Sequence, residues 1–140
     1  MDHKPPLDQR IVDEYFRLAS SKKTKNVSWL YGMVASYGLK PEQLFNFKWE
    51  VDYSISIPDK KRRIRPLHPQ WVFLFSLKEK QPRDLQGCLP SIISSMYEAM
   101  AFQDVQLNIT DLVLAHKIRR NHYRQVKQQL ASYPVFAGVS

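Results

Sequence analysis

Residues 37–71 read YGLKPEQLFNFKWEVDYSISIPDKKRRIRPLHPQW, and the punctuation and period of this stretch decide the fold. Gly38 closes an apolar helical run, Trp29 to Tyr37, because glycine enters the left-handed conformation that ends helices without a steric penalty. Pro41 suits the first turn of a following helix, where its missing N–H would be unpaired anyway. Two helices therefore meet at a tight corner that carries Lys40. After Trp49 the period drops to two: Val51, Tyr53, Ile55 and Ile57 alternate with Asp52, Ser54 and Ser56, the pattern of a half-buried strand. Pro58 to Lys61 form a turn and Arg62 to Leu67 the returning strand. The hairpin has a cationic tip of Lys60, Lys61, Arg62, Arg63 and Arg65.

Working outward, Leu7, Ile11, Tyr15 and Leu18 recur at helical spacing, and a loop carrying Lys22, Lys23 and Lys25 separates that first helix from the second. Downstream, WVFLFSLKE (71–79) predicts a helix. KQPRDLQGCLP (80–90) predicts a polar linker that holds Cys88, and SIISSMYEAMAF (91–102) a short helix. Residues 111–133 predict a long last helix, capped by Thr110 with Asp111 in its first turn. The fold class is α+β, mostly helical with one small antiparallel hairpin sheet. It forms a single domain over 1–140, with 1–6 and 134–140 as flexible tails.

At 140 residues and 44% apolar content the chain has room for one core and not for a multidomain enzyme. No stretch has the length or the flanks of a membrane span or a secretory leader, so a cytoplasmic, nucleoid-associated protein is expected. One cysteine and four histidines without ligand spacing exclude a structural zinc site, and no cofactor is implied. Lys+Arg 21 against Asp+Glu 13 leaves a net charge of +8, for which a polyanion is the natural partner and a merely solvated surface the bland alternative. On the last helix Lys117, Arg120, Arg124 and Lys127 fall three and four apart on one face, with Arg119, His122 and Tyr123 beside it. Ile118, Val126 and Leu130 mark the side expected to pack on the core. His116 and Trp29, Trp49 and Trp71 are expected in the core.

Gly38-Leu39-Lys40, Gln43-Leu44, Lys48-Trp49 and Arg65-Pro66-Leu67 occur in the order and context of the first half of a tyrosine recombinase catalytic domain. The chain resembles this phage-integrase family over residues 28–77 and again over 108–123. The resemblance implies DNA phosphoryl transfer, in which a tyrosine attacks and two arginines, a hairpin lysine and histidines stabilise charge. Here Lys40 stands at the first arginine, keeping the charge without the planar fork, and Lys60 or Lys61 at the hairpin lysine. For the His-x-x-Arg box two alignments compete. In place, Thr110 to Ala115 put Val113 and Leu114 at its arginine and following histidine. Literally, His116-Lys117-Ile118-Arg119 supply it, about two turns past the helix start where anions are best held. The first is preferred, and Tyr123 and Tyr133 lack the context of the family's nucleophile.

The implied protein is a truncated, degenerate catalytic domain of a mobile element, with no catalytic residues. It would bind duplex DNA through Lys40, Lys60, Lys61, Arg62, Arg63, Arg65, Lys117, Arg119, Arg120 and Arg124. One alternative is an interaction module that self-associates or docks on a full-length recombinase through Leu85, Leu89, Val135 and Phe136. Another is a surviving enzyme with a rearranged site of Lys40, Lys60, His116, Arg119 and Tyr123.

Overall fold

In the computed structural model residues 8–58, 62–101 and 109–132 are described. Lys60, Lys61, Tyr133, Val135, Phe136 and both expected tails lie outside them.

Helix α1 (Asp8–Ala19) buries Ile11, Tyr15 and Leu18, the helical stripe expected from their spacing. A short 3-10 turn at Lys22–Thr24 leads into α2 (Lys25–Tyr37), in which every residue from Val27 to Tyr37 is buried. A helix apolar on all sides must be surrounded, and α1, α3, α4 and α5 all pack on α2. Gly38 ends it at φ 67, its N–H donating to the Val34 carbonyl at 2.8 Å. The expected second helix at the corner is a single 3-10 turn, Pro41–Leu44. The Lys40 N–H donates to the Gln43 side-chain carbonyl at 2.9 Å, and Leu44 is fully buried.

The sheet has three strands in the order β1-β2-β3: β1 (Lys48–Trp49), β2 (Ile55–Ile57) and β3 (Arg62–Ile64), all antiparallel. Trp49 pairs with Ile55, and Ile55 with Ile64. The alternation expected from Val51 holds only from Ile55 on. Val51 is 98% exposed and Tyr53 has φ 63, because residues 51–53 turn the chain between β1 and β2. The Asp52 carboxylate and the Ser54 N–H form the local contact that favours a turn over a strand there. Buried Ile55, Ile57 and Ile64 anchor the sheet to the core.

Helix α3 (Pro69–Leu74) is shorter than predicted. The backbone reverses at Ser76 (φ 50), which buries Phe75 and Leu77 and leaves Phe73 and Leu74 exposed. Trp29 Nε1 donates to the Leu77 carbonyl at 2.8 Å and the Tyr15 hydroxyl to the Phe75 carbonyl at 2.9 Å, so the irregular backbone is satisfied by buried aromatic donors. Helix α4 (Leu85–Ala101) takes in Gly87, Cys88 and Pro90, which the sequence placed in a linker. Leu85, Leu89, Ile92, Met96 and Ala99 form its buried stripe. Leu85 and Leu89 are therefore core residues rather than a docking surface. Helix α5 (Ile109–Ser132) starts before Thr110 and buries Ile109, Leu112, Ala115 and His116. Ile118 and Leu130, expected to pack inward, are 42% and 44% exposed, because α5 carries its buried residues only as far as His116 and beyond it runs past the core.

Candidate nucleic-acid interface

Strand β3 and helix α5 are tied to the same end of α2. The Ser36 carbonyl accepts the Leu67 N–H at 2.9 Å from the β3 side and the His116 ring from the α5 side. Because both elements meet at this point, a groove of about 370 Å³ opens between them. Arg62, Arg63 and Arg65 line one wall; Arg120, Arg124 and Lys127 line the other, with Tyr123 among them. His116 and Leu67 also line it, and among the described residues no carboxylate does. Lys127 belongs here although the sequence-based site omitted it; its helical spacing from Arg120 and Arg124 was the signal.

The other predicted cations go elsewhere. Lys40 and Lys117 line a second concavity of about 620 Å³, with Tyr97, Val113 and Leu114. Its one acid is Glu42, which accepts from the Tyr97 hydroxyl at 3.3 Å. Lys117 and Arg120 are one turn apart, so the two concavities flank successive turns of one helix. Val113 and Leu114, the in-place positions of the box, thus sit in the concavity that holds Lys40. Arg119 turns the other way: its Nε lies 2.5 Å from Asp8 Oδ1 of α1, whose Oδ2 is 3.2 Å from Nε2 of buried His68. Arg119 therefore links α5 to α1 and is not among the groove residues. His68, which shares Asp8 with Arg119, has its ring 6.1 Å from that of Tyr123.

On the outside of the sheet Asp52 meets Arg63 at 2.8 Å and Arg65 at 3.9 Å. Contacts with Ser54, then Arg63, hold its carboxyl well below the usual carboxylate range. It stays ionised and offsets part of the charge on that wall, while among the described residues no carboxylate pairs with Arg62, Arg120, Arg124 or Lys127.

His116 is 4% exposed. It is a core histidine, as expected, but an incompletely satisfied one: Nε2 has no partner. The Ser36 carbonyl beside the ring partly offsets the cost of protonating it. Burial first, and then the Arg120 guanidinium, push its pKa down to about 4. An unfolded histidine titrates near 6.5. Between those values the unfolded chain binds a proton that the folded chain refuses, so stability falls as pH drops from about 6.5 to about 4. His68, also lowered by burial, acts in the same direction. Urea unfolding at pH 7.5, 5.5 and 4.5 is expected to show this slope, and His116→Asn is expected to flatten it; an unchanged slope in the variant would assign the effect to other groups.

Among the described residues no helix is long and apolar enough to cross a membrane, and no cluster of metal-ligating side chains occurs. Among characterised proteins the chain is similar to Excisase C of Nostoc sp. (strain PCC 7120), 28% identical over 102 residues, 55% of this chain and 20% of that protein. The chain thus spans about a fifth of the length of the curated relative it matches. No family model and no solved structure matches. The similarity connects part of the chain to an excision-related protein.

Proposed function

We propose that this chain is a DNA-binding protein of a recombination or excision system, descended from a tyrosine-recombinase-like catalytic domain and without strand-cleaving chemistry of its own. It holds duplex phosphates along the groove between β3 and α5. The observation that carries this reading is that cations from two separate elements face one gap whose lining, among the described residues, holds no carboxylate. Like charges gathered in this way repel one another unless a polyanion lies among them, and each phosphate neutralised releases counterions. The similarity to Excisase C supports an excision or recombination setting.

Two features support the loss of cleavage. The concavity around Lys40 presents apolar Val113 and Leu114 where a bidentate cation would have to hold the phosphate, and Arg119 is engaged by Asp8. A covalent protein–DNA adduct on a nicked duplex would overturn this part of the reading.

Binding is tested by fluorescence anisotropy with a labelled duplex across a salt series. With about four phosphates contacted, affinity is expected to fall roughly a hundredfold between 50 and 200 mM salt. No binding at 50 mM, or affinity indifferent to salt, would sink the proposal.

A further inference from the structure

The lysines of residues 22–25 stand apart from the groove. Lys22, Lys23 and Lys25 are exposed around the 3-10 turn that leads into α2, whereas the groove is tied to Ser36 at the other end of that helix. Two adjoining concavities, of about 160 and 350 Å³, open between this turn and α4 and share Lys23, Val27 and Ser95. In the smaller one Lys22 and Lys23 are joined by the hydroxyls of Ser91 and Ser95 and the amide of Asn26, and among the described residues no carboxylate lines it. Ammonium, hydroxyl and amide groups together are what phosphate oxygens bond to on proteins that hold DNA.

Two helices measure how far this site lies from the groove. Along α2, Val27 and Ser36 are nine residues apart, about 14 Å at the α-helical rise. The interval along α1 is the same: Asp8 holds Arg119, next to Arg120 of the groove, and Arg17, nine residues on, lines the larger concavity. The surface between them is not a cationic track. Exposed Asp13 lies within the α1 interval, and Glu98 and Glu42 lie on the route over α4. One phosphate backbone running from site to site would pass these carboxylates, whereas two separate segments would not.

We infer that Lys22, Lys23 and Ser91 form a second phosphate-binding site, and that one chain holds two duplex segments at once, one here and one in the groove. This rests on the DNA-binding reading and adds to it a bridging role.

The test is capture of a fluorescent duplex by beads that carry a second, biotinylated duplex and the protein, read beside sedimentation of the protein in excess short duplex. The parent is expected to capture the fluorescent duplex and to sediment with two duplexes per chain. Lys22→Ala/Lys23→Ala is expected to lower capture about tenfold and to leave one duplex per chain, bound within about twofold of the parent's groove affinity. Both side chains are exposed, and the Ser21 hydroxyl caps the turn through the main-chain N–H of Lys23, so this variant keeps the fold. Capture that the lysine variant leaves unchanged overturns the inference. So does capture by pairs of chains with one duplex each, which places the second segment on another copy. One duplex per chain without capture overturns it while the groove reading stands, and binding of no duplex overturns both.

Discussion

Gly38→Ala is expected to lower the unfolding free energy by about 2–5 kcal/mol, from two contributions. The residue sits at φ 67, a conformation in which a β-carbon alone costs about 1–2 kcal/mol. The added methyl would also lie 2.5 Å from Cγ and 2.9 Å from Cε1 of the His116 ring, with Nδ1 nearer still. That ring is buried and held by the Ser36 carbonyl, so it cannot swing aside without losing its hydrogen bond. Overpacking of this kind costs a further 1–3 kcal/mol. The displacement would also reach the groove, because His116 is part of its lining. Thermal unfolding checks the first effect. A melting temperature within about a degree of the parent would mean that the corner is softer than its geometry implies.

The paired substitution Arg120→Ala/Arg124→Ala is expected to weaken duplex binding by about 10–100-fold near 100 mM salt and to reduce the salt slope by about two. Both residues line the same wall of the groove, and among the described residues neither has a carboxylate partner to absorb its charge. Arg119→Ala is the matched comparison. It removes one positive charge where the pair removes two, from the same helix but from a side chain that reaches Asp8, so duplex affinity is expected to stay within about twofold of the parent. Equal losses from both variants would mean that overall charge matters and the groove does not.

Much of this arrangement is legible in the sequence wherever one residue type has a local physical meaning. Gly38 marks the helix stop, Ile55 and Ile57 the strand, and the three- and four-residue spacing of Lys117, Arg120, Arg124 and Lys127 the charged face of α5. Where context overrides local preference, the sequence misleads. Val51 and Tyr53 are strand-formers placed in a turn by Asp52 and Ser54, and the two residues of β1 are too few to show a period. Gly87 and Pro90 read as helix breakers, yet the stripe from Leu85 through Ala99 has enough apolar surface to start α4 early. The apolar WVFLF run hides the stop after Leu74, which depends on Phe75 and Leu77 finding the core. At the site, spacing placed Arg120 and Arg124 together. It could not show that Arg119 meets Asp8, a helix away, or that the Nε2 of His116 is left over.

Among the described residues the three-stranded order also leaves β3 at a border of the sheet, with one side of its main chain unmatched by a neighbouring strand. Such borders invite a foreign strand to add on, and a chain protects itself with charge, brevity and proline. β3 has all three: exposed Arg62 and Arg63, a length of three residues, and Pro66 soon after it. The arginines proposed to hold DNA thus also keep one molecule from templating another. Replacing them with neutral strand-formers would encourage aggregation, whereas substitutions on α5 would not.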